Sequence, residues 1–112
     1  MYEDEYTLAF LDIHPTQPGH TIVIPKEQIE FIWDLDDQTY LALMSTVKKV
    51  GLMLREVMGK PFVGLKVFGM DVPHVHVHLI PFSTAAEFNN RQDMQAEPDH
   101  KTLAETAEKL RF

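Results

Sequence analysis

The chain has 112 residues, 45% apolar and 24% charged, with no cysteine. That length suits one domain burying roughly two-thirds of its unfolded surface, and the missing thiols exclude disulfide scaffolds, thiolate metal centres and cysteine nucleophiles. Seventeen acidic residues against ten basic ones give a net charge of -7, which argues against a nucleic-acid or anionic-membrane surface but not against a locally positive pocket for a small anion.

No apolar run approaches the roughly 20 residues of a membrane span. The acidic start, Met1 to Glu5, lacks the basic and apolar regions of a signal peptide. A cytoplasmic protein is therefore expected. Strand character begins so early, at Thr7, that a short preceding segment would be in keeping with it. No repeat or linker divides the chain, so residues 1–112 are expected to form one domain. Its core covers about 2–81, and 82–112 form a C-terminal loop and helix.

Thr7 to Ile13 is a mostly apolar run suited to a buried strand. His14 to Gly19 is turn chemistry, with two prolines and a glycine. His20 to Ile24 is rich in β-branched residues and reads as a second strand ended by Pro25, which makes a hairpin. Lys26 to Leu35 has room for a short helical turn. Tyr40, Leu43, Met44, Val47, Val50, Leu54, Val57 and Met58 then recur at mostly three- and four-residue steps. With Asp36 or Asp37 as cap and Gly59-Lys60-Pro61 as stop, they predict a helix from about Asp37 to Met58. Phe62 to Phe68 and His74 to Pro81 read as two further strands, and Leu103, Ala107 and Leu110 mark a last helix after Pro98-Asp99. The pattern predicts an α+β fold with a mainly antiparallel sheet of about five strands.

Three of the six histidines stand at 74, 76 and 78. In a strand all three share one face, spaced by about 6.6 Å, while Val75, Val77 and Leu79 face the other way. One reading is a polar strand face that happens to be histidine, and three positions out of three argue against it. A second is a metal site built on two of them, with His20 or Asp71 supplying a further ligand. A third is phosphoryl or nucleotidyl transfer without metal. There a neutral imidazole attacks phosphorus while cationic neighbours hold its oxygens and protonate the leaving group. The middle ring, His76, reaches both flanks and is the favoured nucleophile. Asp12 has two readings: a carboxylate accepting both hydroxyls of a vicinal diol, or a strand-end aspartate that opens the His14-Pro15 turn. Phe31 and Trp33 read as packing residues, with an aromatic near a base pocket as the other reading.

The run His74-Val75-His76-Val77-His78-Leu79-Ile80 resembles the signature of the histidine triad (HIT) family. Leu11-Asp12-Ile13-His14-Pro15, Pro18-Gly19-His20 and Ile24-Pro25-Lys26 resemble its N-terminal pattern in order and spacing. The likeness covers about Tyr2 to Pro81 and is closest to the small Hint-like branch. It implies a cytoplasmic homodimer that binds nucleotides and hydrolyses or transfers them at the α-phosphate. No cofactor or metal is implied, and the partner is a small nucleotide, with no nucleic acid or membrane. By the same resemblance His76 is the nucleophile that becomes nucleotidylated. His78 contacts the phosphate and leaving-group side, His74 orients the nucleophile, and His20 supports the network. Asp12 bonds the ribose, and Leu11 and Ile13 line the base pocket. Where relatives often carry Gly-Gln-Ser or Gly-Gln-Thr before the triad, this chain has Gly69-Met70-Asp71. Asp71 is thus expected beside the phosphate, with its backbone N–H as the useful group and its carboxylate turned away. An asparagine commonly found upstream has no clear counterpart in Val63 to Phe68.

Overall fold

A computed structural model describes residues 1–70 and 72–112. The strands are β1 (Tyr2–Glu3), β2 (Thr7–Leu11), β3 (Thr21–Pro25), β4 (Phe62–Val67) and β5 (Val77–Phe82). The helices are α1 (Asp37–Met58), α2 (Ala85–Asn89) and α3 (His100–Lys109), with a 3-10 turn at Ile32–Asp34. The sheet runs β1-β2-β3-β5-β4 and every pair is antiparallel. This is the α+β architecture expected from the sequence.

Helix α1 begins where Asp36 accepts a hydrogen bond from the Thr39 N–H at 2.8 Å. It ends at Gly59, whose φ of 65° is the left-handed conformation glycine adopts without strain. Its apolar stripe, Leu43, Val47, Val50 and Leu54, packs on Ala9, Val23, Val77 and Leu79 of the sheet, all buried. Leu110, just past α3, is fully buried in the same cluster. The strand pairing sets the two faces. Ala9, Val23 and Val77 are register partners and meet α1, so Ile22, His78 and Lys66, partners in the next row, lie on the opposite face.

Several boundaries depart from the sequence reading, β3 among them, which runs Thr21–Pro25 rather than His20 to Ile24. β2 stops at Leu11 because Asp12 turns away, its carboxylate accepting the His14 N–H at 2.8 Å. β4 ends at Val67. The largest difference is β5, which begins at Val77, so His74 and His76 precede the strand. Their segment is bonded elsewhere: the His74 N–H donates to the Val72 carbonyl and the Val75 N–H to the Ile29 carbonyl, each at 2.8 Å. The ladders to β3 and β4 both start at Val77.

Candidate active site

The β2–β3 turn brings two chemically useful side chains together. Gly19 adopts a φ of 87°, and a Cβ there would meet Met58 Cγ at 3.0 Å, so glycine is what lets the turn close. The Asp12 N–H then bonds the His20 carbonyl at 2.9 Å, setting Asp12 and His20 side by side. Both are buried, and so is His78 on the adjoining strand.

The hydrogen-bond partners fix which nitrogen of each ring carries a proton. His20 Nδ1 accepts the Thr16 N–H at 3.1 Å, so its proton sits on Nε2. That N–H donates to His78 Nδ1 at 2.9 Å, with the Asp12 Oδ2 3.5 Å away. His78 therefore carries its proton on Nε2, the nitrogen left to face a ligand. His76 runs the other way. Its Nδ1–H donates to the His74 carbonyl at 2.7 Å, which leaves a lone pair on Nε2. The His76 and His78 rings meet edge-on with centroids 5.1 Å apart. His74 is not gathered with them; its Nε2–H donates to the Pro25 carbonyl at 2.7 Å and ties the pre-strand segment to β3.

Burial decides the charge of this cluster. It pulls His20 from 6.5 down to about 4, against the opposing pull of Asp12, and the charges of His78 and Lys66 act in the same direction as burial. His78 is lowered for the same first reason, with His76 and Lys66 adding to it and Asp12 opposing. Cationic neighbours were expected from the sequence. His20 and His78 are instead neutral at pH 7 and act as N–H donors.

Asp12 does not stand open. Its Oδ2 accepts the Gln92 side-chain amide at 2.5 Å, and the same amide nitrogen donates to the His14 carbonyl at 3.0 Å. Leu11 is half-buried and Ile13 is exposed. Asp71 lies outside the described residues. Lys66 and Gln92 were missed by sequence reasoning. Lys66 is the β4 register partner of His78, on the same face, with its ammonium over the Phe88 ring and hydrogen-bonded to the Phe88 carbonyl. Strand alternation was its signal. Gln92, 80 positions from its partner, had none.

Asp12, His20 and His78 also offer one donor atom each within 4.8 Å of one another, near the spacing a metal needs. Metal binding through His20 Nε2 would move its proton to Nδ1, against the Thr16 N–H. The metal set and the hydrogen-bonded relay are thus alternative tautomers, and the relay is the one the Thr16 bond selects.

A model of the HIT domain matches residues 1–85. The chain belongs to the HIT family. An adenosine 5'-monophosphoramidase of Schizosaccharomyces pombe is 36% identical, over 70% of this chain and 60% of its own length. A bis(5'-nucleosyl)-tetraphosphatase (asymmetrical) of the same yeast is 32% identical, over 71% and 47%. The chain thus spans about half to two-thirds of these relatives. In structure it resembles a Hit-like protein from Bartonella henselae described as involved in cell-cycle regulation, with a TM-score of 0.83 and 28% identity, over 97% of this chain and 81% of that one. In this HIT protein, among the described residues, no helix is long and apolar enough to cross a membrane.

Proposed function

We propose that this HIT protein is a nucleotide hydrolase or nucleotidyl transferase. It would act at the α-phosphate of a purine nucleoside phosphoramidate, adenylate ester or dinucleotide polyphosphate. The observation that carries the reading is His76, whose Nδ1–H is held by the His74 carbonyl while its Nε2 lone pair is left free.

In the first step Nε2 bonds phosphorus, and the bond from phosphorus to the leaving atom breaks. That atom keeps the electron pair and takes a proton from water. The His76 ring becomes a phosphorylated imidazolium, and its Nδ1–H bond to the His74 carbonyl stabilises the positive charge. The His78 Nε2–H donates to a non-bridging oxygen, and His20 holds that tautomer through Nε2. In the second step the oxygen of water bonds phosphorus and its proton goes to the hydroxide left by the first step, the P–Nε2 bond breaks with its electron pair returning to the ring, and the nucleoside monophosphate leaves. A ribose diol would take the place on Asp12 that the Gln92 amide holds, between Leu11 and Ile13. Asp71 belongs to the phosphate side by its place in the sequence alone. The working form in this reading is a cytoplasmic homodimer of one-domain chains, with β4, the edge strand carrying exposed Phe62, Leu65 and Val67, as the available seam.

The test is rapid-quench kinetics with an AMP amidate. Wild type should accumulate an acid-labile nucleotidyl adduct that His76→Ala does not form; wild-type turnover by His76→Ala refutes the mechanism. The stretch Gly69-Met70-Asp71, where relatives often carry Gly-Gln-Ser or Gly-Gln-Thr, favours a second reading, a nucleotide binder with little turnover. Tight AMP binding by calorimetry with no adduct and no product would select it.

A further inference from the structure

Trp33 is 88% exposed and Phe31 46%, although both read as packing residues in the sequence. The 3-10 turn accounts for this. Ile32 and Leu35 take the inward positions against the core, which turns Phe31 and Trp33 outward. Beneath them is a cavity of about 180 Å³, whose lining includes Glu30, Phe31, Trp33, Val67, Phe68 and His76. Phe31 rests on the Gly69 backbone, where a Cβ would come within 3.5 Å of its ring. The Val75 N–H bond to the Ile29 carbonyl ties this aromatic segment to the one bearing His76. A half-open apolar cavity of aromatic side chains, bounded by the His76 ring whose Nε2 carries a lone pair, is a binding feature rather than a stray exposed residue.

We infer that this cavity is a leaving-group subsite that takes a flat aromatic ring. The inference rests on the proposed nucleotidyl transfer. Position assigns the occupant. Asp12, His20 and Gln92 are linked to one another and to His78, and none of them lines the cavity, whereas His76, whose ring meets that of His78, does. A nucleotide with its sugar at Asp12 directs its other phosphorus substituent toward Trp33. Size agrees, because a cavity of about 150 Å³ accommodates benzene, and Trp33 and Phe68 can stack on or meet the edge of such a ring. The ring could be an aryl group on a departing amine or the second base of a dinucleotide.

Trp33 is the chain's one tryptophan, so its emission reads the cavity directly. The phenylethylamine amidate of AMP, unsubstituted AMP amidate, diadenosine tetraphosphate and AMP would each be titrated into His76→Ala protein. Emission should shift to the blue with the phenylethyl amidate, the dinucleotide or both, and stay put with AMP and the unsubstituted amidate; which of the two responds identifies the ring. In wild type the kcat/KM of a responding substrate should exceed that of the unsubstituted amidate by about tenfold, and Trp33→Leu should collapse that ratio. A shift with AMP itself would place the base in the cavity and overturn the inference. A ligand-free shift that grows with protein concentration would do the same by making it a contact between copies. Equal turnover of all substrates with silent Trp33 refutes the subsite and leaves the nucleotidyl mechanism standing. Absence of turnover and adduct in wild type removes both.

Discussion

Replacing His20 by glutamine should flatten the acid limb of stability. The wild-type ring falls from 6.5 to about 4 on folding, chiefly through burial. Between those values the unfolded chain binds the proton that the folded chain excludes. Stability is therefore whole above pH 6.5, falls as the pH drops, and loses nothing more through this group below pH 4. Integrated from pH 7 to 4.5, a fall from 6.5 to about 4 corresponds to about 2 kcal/mol lost. At a urea m-value of about 2 kcal/mol/M, the midpoint should drop by about 1 M. Urea unfolding of both proteins at the two pH values isolates the contribution, since the carboxylates are common to both and the lowered pKa of His78 adds in the same direction. Equal midpoint losses in wild type and His20→Gln would refute the reasoning, as would a His20 titration near pH 6.5 followed by NMR.

Two predictions concern the frame around the site. A Cβ on Gly64 would overlap the Phe88 ring, so Gly64→Ala should cost about 1–3 kcal/mol, lowering the melting temperature in calorimetry, and Phe88→Ala in the same chain should remove most of that penalty. Leu110→Ala, at a fully buried position, should cost about 2–5 kcal/mol in urea unfolding; a loss below about 1 kcal/mol would mean that α3 is not part of the cooperative core.

The long helix was legible because three signals agree: apolar steps of three and four, Asp36 as cap and Gly59 as stop. The histidine row was half legible. Alternation of apolar and polar residues marks extended backbone, but an extended loop carries the same pattern. Only the bonds from His74 and Val75 to Val72 and Ile29 separate loop from strand. The pairing of His20 with His78 joins residues 58 apart, so spacing was silent and the family resemblance supplied the association. The charge state was misread because an exposed imidazole and a buried one have the same letter. Trp33 was misread because either side of a short turn can face the core, and Ile32 and Leu35 filled it first.

The bond from the Thr16 amide to His20 Nδ1 has a mechanical consequence. A proton arriving on that nitrogen removes the acceptor and sets donor against donor, so the proline-flanked turn from His14 to Gly19 is released from its anchor. The turn thereby becomes a gauge of the interior: amide exchange at Thr16 tracks, from the surface, whether the imidazole beneath it is still neutral.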